Sequence, residues 1–482
     1  MAHVSATADR DIEDPGASAE GGRLPRSGVA WALFEGARNP YIMLVSIYLF
    51  TPYLAQVVIG DAVKGQEMIS RANMLASLVT MLTAPFLGAA IDQIGRRKGL
   101  LAGLICLMAP MVFALWWVKP DQTGIGVLGA LVITATYNVL YPYTEVLHNS
   151  LLVRNAGLSK AHQASALALV TAQTVTLATM LLMFWGFALP GTVDWSFIPK
   201  APLFGVDASQ HEAERMVGPI CAFLLVVGSA PFFLFARDAE PTGTPLTRAF
   251  ADGARELWGI VRTARSNRDA LVFLIARMFY FDGLNAVTLF SGLYVSGTMG
   301  WNALQMLIFG ILGATFAAFG GALGGVLDAR LGPKRAVQIE IAMNVLAIAG
   351  FLGTSKTQIL FMPYDPATPH LWNGPFLTTA PDIVMLGLAL LVCVFATANW
   401  ASSRTLMTRL SPPDQAGAFF GVFALSGTAT LWLGSLMVNL GTNIFHSLSG
   451  GFGAIVILLA IGLVGLAFVR GGNKLSPAVA SS

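Results

Sequence analysis

Long apolar runs recur along the whole chain, and short polar segments separate them. At about 18 residues or more, each run is long enough to cross ~30 Å of hydrocarbon as a helix. The pattern predicts an all-α polytopic membrane protein with twelve transmembrane helices. The first half supplies six, at 40–59, 69–91, 99–118, 124–149, 163–189 and 218–236. The second half supplies six more, at 270–296, 303–327, 335–353, 382–408, 418–440 and 451–469.

One polar pattern occurs twice, each time where an apolar run ends. The copies are Gly88–Lys98 and Gly324–Arg335, and both contain a glycine, an aspartate, a second glycine and a basic cluster. Asp328 follows Asp92 by 236 residues, which is about half the chain. A duplication at this offset indicates two pseudo-symmetric six-helix bundles.

The repeat divides the chain into five parts, two of which are tails. The long loops at 190–217 and 354–381 lie inside the two bundles and are assigned no function. The parts are a disordered cytoplasmic tail at 1–27, an N-terminal bundle at 28–237, a cytoplasmic amphipathic linker at 238–268, a C-terminal bundle at 269–470 and a cytoplasmic tail at 471–482.

Composition and charge placement agree with a membrane protein. Charged residues make up 11% of the chain and hydrophobic residues 55%, whereas soluble domains carry about 25% charged residues. Cytoplasmic loops retain an excess of Lys and Arg. With both termini in the cytoplasm, every Lys and Arg lies on the cytoplasmic side except Arg277, inside a helix, and Lys64, Arg71, Lys119, Lys200, Arg215 and Lys356. We therefore expect a multi-pass protein of the inner membrane with both termini cytoplasmic.

Neither a cofactor nor an enzymatic site is predicted. The cysteines lie inside apolar runs without pairing or metal-ligand spacing, at Cys106, Cys221 and Cys393. A P-loop is absent, so an ion gradient or the solute's own gradient would drive the protein. The partners we expect are a small-molecule substrate, protons or another cation and the lipid bilayer. We expect a monomer with no metal and no nucleic-acid partner.

The fourth predicted helix carries a row of polar residues. Asn138, Tyr141, Glu145 and His148 are spaced by three, four and three, which places them on one helix face. A carboxyl and an imidazole one turn apart suit a proton relay, since ionisable residues within membrane helices are usually functional. A cytoplasmic gate or an interhelical hydrogen bond is the alternative.

The seventh predicted helix carries three further candidates. Arg277 and Asp282 lie about 140° apart around a helix axis, so each needs a partner elsewhere. Asp282 and Gly283, with Asn285 one turn on, suggest a local unwinding that exposes backbone to the substrate. Alternatively, Arg277 extends to the cytoplasmic surface.

Two more candidates come from the ends of other helices. Asn399 belongs to the tenth predicted helix, as a residue that completes the cavity. Glu35 precedes Pro40, the expected first-turn residue of the first helix, so Glu35 is placed in a short interfacial helix. There it serves either in ion coupling or in a salt bridge. The same two alternatives hold for Glu340, which is not included in the site.

The duplicated loops predict a gate. Each aspartate is expected to accept hydrogen bonds from the neighbouring basic loop and from an adjacent helix N-terminus, closing the cytoplasmic side. Gly95 and Gly332 suit the chain reversal, which favours positive φ. The gating residues are Asp92, Gly95, Arg96, Arg97, Asp328, Gly332, Lys334 and Arg335.

These features together resemble the major facilitator superfamily, and further stretches resemble the bacterial branch of its vacuole effluxer family. The stretches are Trp31–Asn39, Arg277–Gly283, Asn399–Arg404 followed by Leu410–Pro412, and Phe419–Gly427. The resemblance implies the major facilitator fold, and the founding fungal member exports amino acids. One departure is Thr428, where the family often has a lysine, and this weakens the case for carboxylate binding by the family pattern.

The function expected from the sequence is secondary active transport by alternating access, with proton coupling. The solute would be a small polar molecule such as an amino acid or a peptide-like metabolite. The alternative is a cation-coupled sugar symporter, a group that shares Pro142 and a nearby acidic residue in helix 4. Enzymes need charges clustered at one membrane face, whereas here they are scattered singly over helices 4 and 7.

Overall fold

Twelve long helices form the described part of the chain. The computed structural model describes residues 23–94, 96–157, 160–239, 267–411, 419, 422–423, 426–427 and 430–471. The tail at 1–22, most of the predicted linker and the tail from 472 lie outside them.

The helices are numbered in chain order. Helix α1 contains π-helical segments at Ile42–Tyr48 and Leu54–Val58. A 3-10 turn follows α3, and a π turn follows α5. The first six are α1 (Arg26–Val58), α2 (Ala62–Ile94), α3 (Lys98–Phe113), α4 (Val127–Asn149), α5 (Ala161–Met183) and α6 (Glu212–Phe235). The second six are α7 (Arg268–Met299), α8 (Ala303–Leu331), α9 (Pro333–Leu352), α10 (Ala380–Leu410), α11 (Leu431–Phe445) and α12 (Leu448–Ala467).

Nine helices of the described residues are long and apolar enough to cross a membrane. The other three are α2, α4 and α11. Capping residues set several helix starts: Asn302 and Thr379 each form a reciprocal cap with the residue three positions later. The loop before α10 contains the sheet of the described chain, a hairpin of β1 (Gln358–Ile359) and β2 (Met362–Pro363).

Three predicted helix starts came more than a turn too late. Helix α1 begins at Arg26 rather than at residue 40, α2 begins at Ala62 rather than at 69, and α6 begins at Glu212 rather than at 218. Each missed segment carries charges, which the search for apolar runs excluded. The tail predicted at 1–27 therefore overlaps α1, and the loop predicted at 190–217 includes the start of α6.

The bundle has two ends. We call the end with residues 92–98 and 328–335 the motif end, and the end with the α1–α2, α7–α8 and α11–α12 turns the opposite end. At the opposite end α2 and α11 are hydrogen-bonded: Gln66 Nε2 donates to Thr442 Oγ1 at 2.7 Å, and Asn439 Nδ2 donates to the Glu67 carbonyl at 3.0 Å. The described contacts between the two halves of the chain thus include a polar closure at this end.

Glycine permits a second close approach across the halves. Gly292 of α7 packs against the carbonyl of Ile47 in the π-helical part of α1, where a β-carbon would clash with that oxygen. Helices α5 and α8 also meet, through Met180 and Gly310. Contacts of this kind replace hydrophobic attraction between helices in a membrane, where close packing drives association.

The closure at the opposite end can be tested by cross-linking. In a background without the native cysteines, the pair Ser70→Cys and Asn439→Cys should form a disulfide on oxidation, since Asn439 Nδ2 lies 3.4 Å from Ser70 Oγ. A protease site inserted in residues 240–266 separates the halves on a denaturing gel. Oxidised protein should run as one band after cleavage, and either single cysteine variant should run as two. Two bands from the oxidised pair would contradict the closure.

Candidate functional site

An ionic cluster joins α1 to the C-terminal turns of α4. Its members are Glu35 and Arg38 of α1, which lie one turn apart, and Glu145 and His148 of α4, also one turn apart. Both pairs face the same interface because residues three apart share a helix face. Arg38 and His148 are buried, whereas the Glu145 side chain is 50% exposed.

Arg38 is shared between the two carboxylates. Its Nε and Nη2 donate to the two oxygens of Glu35 at 2.9 and 2.8 Å, a bidentate pair. The same Nη2 is 3.6 Å from Glu145 Oε2. The guanidinium also lies over the ring of Tyr141, 4.5 Å from its centre. Two carboxylates on different helices therefore compete for one cation.

His148 is held on every side. Trp31 stacks on the imidazole at 4.2 Å, and the Trp31 indole donates to the His148 carbonyl at 2.7 Å. The imidazole Nε2 lies 2.8 Å from the Trp31 carbonyl, and Nδ1 lies 3.2 Å from Glu35 Oε1. Both ring nitrogens therefore face oxygens that are acceptors when Glu35 is ionised. A neutral imidazole has one N–H, and His148 Nδ1 has no hydrogen-bond partner among the described residues, so its approach to Glu35 becomes an ion pair only when His148 is protonated.

The four residues of the predicted row on α4 do not all face the same neighbouring helix. Tyr141, Glu145 and His148 face α1, whereas Asn138 points to α2 and donates to Asn73 Oδ1 at 3.0 Å. Asn73 was not predicted. Its signal was an amide in an otherwise apolar stretch of α2.

The predicted placement of Glu35 in a separate interfacial helix was wrong. Helix α1 continues through Pro40, and Glu35 lies inside it. The charges suggested an interface, yet Arg38 and His148 compensate Glu35 within the protein, and paired charges are tolerated at membrane depth. Arg38 was missed as a site residue for the same reason.

Helix α7 holds Asp282 against α11. The carboxylate is buried, and its Oδ2 accepts from the backbone N–H of Gly434 at 2.6 Å. Thr430 Oγ1 donates to the Met278 carbonyl at 2.7 Å, one turn earlier. The first turn of α11, whose N–H groups lack helical partners, is thus fixed to α7.

The predicted unwinding at Asp282 and Gly283 was wrong, since α7 is continuous there. Gly283 instead allows α12 to approach, with Leu459 and Leu458 filling the space of a side chain. Asn285 is half-buried one turn from Asp282.

Arg277 does not extend to the surface. It is 5% exposed, and Nη1 donates to the Phe423 carbonyl and to Ser426 Oγ, both at 2.7 Å. As predicted, Arg277 and Asp282 have separate partners.

A second polar network lies between α7, α9 and α10. Tyr280 and Ser403 are joined by a 2.8 Å hydroxyl bond, and Ser403 Oγ lies 3.4 Å from Asn399 Oδ1. Ser402 Oγ donates to Glu340 Oε1 at 2.8 Å. Asn399 is fully buried, and so is Glu340, which the sequence left undecided.

The duplicated loops form matching contacts within each half. Lys98 Nζ donates to the carbonyls of Phe233 and Ala236 at the end of α6, and Lys334 Nζ donates to the carbonyl of Val469 after α12. Lys334 follows Lys98 by 236 residues, and Val469 follows Phe233 by the same number. A cation at a helix C-terminus stabilises the unpaired carbonyls there.

Two carboxylates outside the predicted gate bind near the same helix ends. Asp238 Oδ1 accepts from the backbone N–H of Arg97 at 2.9 Å, and Asp269 accepts from that of Gly471 at 3.0 Å. Neither aspartate was predicted, because neither belongs to the repeated pattern.

Asp328 differs from the predicted latch, and the side chain of Asp92 lies outside the described part of the structure. Asp328 is buried in the last turns of α8, and its Oδ1 has no hydrogen-bond partner among the described residues. Asp92 is in the final turn of α2, and Gly95 lies outside the described residues. Gly332 has φ +83°, which confirms the expected positive φ. Arg96 and Arg335 are exposed.

A cavity of about 1020 Å³ lies between α3 and α6, with an apolar lining that includes Cys106, Phe113 and Phe223. The Phe223 side chain is 63% exposed, so the cavity opens to the outer surface of the bundle. The polar clusters, which have the chemistry to recognise a solute, define the candidate site instead.

The architecture and the relatives define a class. The nucleoside transporter NupG has the same fold, with a TM-score of 0.60 over 92% of this chain and 96% of that chain at 13% identity. The uncharacterized MFS-type transporter YxiO of Bacillus subtilis is 27% identical over 457 residues, covering 93% of this chain and 95% of the relative. The protein is a multi-pass membrane transporter of the major facilitator superfamily.

Within that class, the chain belongs to the family described as vacuole effluxer Atg22 like, whose model matches residues 58–475. Autophagy-related protein 22 of Yarrowia lipolytica is 24% identical over 231 residues, 46% of this chain. The match spans 35% of that fungal protein, about a third of its length. Both resemblances noted in the sequence are thereby confirmed.

Removal of Arg38 should destabilise the protein strongly. Arg38→Met leaves Glu35 buried without its bidentate partner, and breaking a buried pair costs about 3–5 kcal/mol. Glu145→Gln is the matched control, because a half-exposed pair contributes about 1 kcal/mol or less. Thermal unfolding in detergent should show a much lower melting temperature for Arg38→Met only. Equal melting temperatures for the two variants would contradict a stabilising role for the Glu35–Arg38 pair.

Lys98 and Lys334, which bind the C-terminal ends of α6 and α12, should contribute similarly to the stability of the protein. Lys98→Met and Lys334→Met each remove a cation from a helix C-terminus, a loss of about 1–2 kcal/mol in partly buried positions. Lys200→Met, in an exposed loop, should change stability by less than about 0.5 kcal/mol. Melting curves of the three variants compare them directly. An unchanged melting temperature for Lys334→Met would remove the proposed equivalence of the halves.

Proposed function

We propose that the protein is a proton-coupled secondary active transporter that works by alternating access in the inner membrane. The solute is a small polar molecule such as an amino acid or a peptide-like metabolite. A monomer suffices, since the polar clusters lie within one chain. The family description of an effluxer supports transport, and the solute class follows from the resemblance noted in the sequence.

The observation that supports proton coupling is the contact between His148 and Glu35. Nε2 faces a carbonyl that only accepts, and Nδ1 lies 3.2 Å from a carboxylate oxygen. A neutral imidazole has one N–H, so proton loss from His148 would set a lone pair of one ring nitrogen against an oxygen inside the protein, where unfavourable electrostatics are weakly screened. The α1–α4 contact is therefore sensitive to protonation.

Glu145 connects this cluster to solvent. It is the half-exposed member, and it competes with Glu35 for Arg38. Protonation of Glu145 removes that competition and leaves Arg38 to Glu35. Because α1 also contacts α7 through Ile47 and Gly292, a shift of α1 relative to α4 reaches the interface between the halves. The other proposed coupling and substrate groups are Asp282, Arg277, Asn138, Tyr141, Asn285 and Asn399.

The placement of Lys and Arg puts the motif end in the cytoplasm. On that orientation the described closure lies on the extracytoplasmic side. The unpaired Asp328 Oδ1 suits a cytoplasmic side that is not latched, because the proposed latch would form when that side closes.

Proton coupling is tested in liposomes that contain the purified protein. A pH-sensitive dye reports proton movement on addition of amino acids, dipeptides, nucleosides or sugars. Glu145→Gln should abolish proton movement with the active solute, while exchange of labelled for unlabelled solute continues, since exchange needs no net proton transfer. Asp194→Asn, in an exposed loop, is the control and should behave as the parent protein.

Proton movement that persists in Glu145→Gln would exclude Glu145 from coupling. Activity with sugars alone, dependent on Na⁺, would favour a cation-coupled sugar symporter instead.

A further inference from the structure

The buried arginines of the described chain differ in their counterions. Arg38, Arg215 and Arg277 are all at most 5% exposed. Arg38 has Glu35 at 2.8 Å, and Arg215 has Glu212 at 3.9 Å. Within the described residues, Arg277 has no carboxylate within ion-pair distance. It is thus a buried cation whose charge the described protein leaves uncompensated.

Neutral groups hold Arg277 in place. Nη1 donates to the Phe423 carbonyl and to Ser426 Oγ. The guanidinium lies over Phe423 at 3.7 Å and over Phe281 at 4.2 Å. Cation–π contacts and one engaged nitrogen fix the orientation of the fork, but they supply no negative charge.

One edge of the fork is empty. Nε is buried without a hydrogen-bond partner, and Nη2 has no acceptor among the described residues. Arg38 uses this same edge, Nε with Nη2, to bind both oxygens of Glu35. The Nε–Nη2 edge is therefore the part of Arg277 that matches a carboxylate or a phosphate in two parallel hydrogen bonds.

The surroundings add positive charge. Arg404 of α10 acts on Arg277 electrostatically as a like charge, and its side chain is exposed. A buried guanidinium with an empty edge beside an exposed arginine attracts anions and disfavours cations. Leaving a buried charge without a counterion is unfavourable, which argues for an occupant.

We infer that Arg277 is the anion-recognising residue of the transport site, with Arg404 assisting, and that the solute carries a carboxylate or phosphate group. This inference rests on the proposed transport function and specifies its substrate class. The anionic group occupies the Nε–Nη2 edge as Glu35 does at Arg38. It thereby neutralises α7 next to the start of α11.

Binding to the purified full-length protein tests the inference without knowledge of the natural solute. The probes are acetate, inorganic phosphate, L-leucine and glucose 6-phosphate. Each is compared with a partner that lacks the carboxylate or phosphate group: acetamide, chloride at equal ionic strength, L-leucinamide and glucose. A binder raises the melting temperature by mass action. At least one carboxylate or phosphate probe should stabilise the protein saturably, and its partner should not.

The variants then locate the site. Arg277→Gln should weaken binding of the stabilising probe about tenfold or more, since it loses charge-assisted hydrogen bonds. Arg277→Lys keeps the charge but not the fork and should lie between Arg277→Gln and the parent. Arg215→Gln is the matched control: it removes an equally buried arginine that also contacts backbone carbonyls and an aromatic ring, and it should leave the affinity unchanged.

Three results would overturn the inference: no saturable stabilisation by any carboxylate or phosphate probe, equal stabilisation by the partner compounds, or undiminished binding by Arg277→Gln. Its failure is distinct from failure of the proposed transport. A neutral solute that moves protons in liposomes would retain the transporter and discard the anion site. Stabilisation by phosphate probes alone or by carboxylates alone would assign the solute to one of the two groups.

Discussion

The structure depends on how charges inside the membrane are compensated. Glu35, Arg38 and His148 form a closed group in which two hydrogen bonds, one ion contact and a ring stack restrict each side chain. Because of that group, α1 can pass through the membrane with its charged turn inside the bundle. Asp282 is accommodated differently, by a backbone N–H of α11. Arg277 donates to a backbone carbonyl and a hydroxyl, but it has no carboxylate within ion-pair distance among the described residues. This contrast gives it functional interest.

Much of the architecture could be predicted because membrane helices have a strong and simple signal. The apolar runs located all twelve long helices, and the duplicated loops located the division into halves. Errors arose where helices carry charge, as in the first turns of α1, α2 and α6. Helix starts such as Arg26 and Glu212 depend on tertiary partners, which a hydropathy pattern does not contain.

The site was predicted less completely, for reasons of geometry. Helical spacing placed Glu145 and His148 on one face of α4, but it could not show that Glu35 faces them, since that contact joins residues more than a hundred positions apart. The unwinding expected at Gly283 failed because a glycine permits both a bend and a close helix contact. The packing of Leu459 decided between them. Asp238 and Asp269 were invisible to motif analysis, as they stand outside the repeat.

Lys98 and Lys334 bear on the evolutionary relationship between the two halves. Each lysine binds main-chain oxygens, so the accepting residues can be Phe233 and Ala236 in one half and Val469 in the other. The bond constrains only the lysine and the direction of the last helix. The main-chain hydrogen bonds of the two bundles can therefore still show that a gene duplication occurred, even after the side chains of the two halves have diverged.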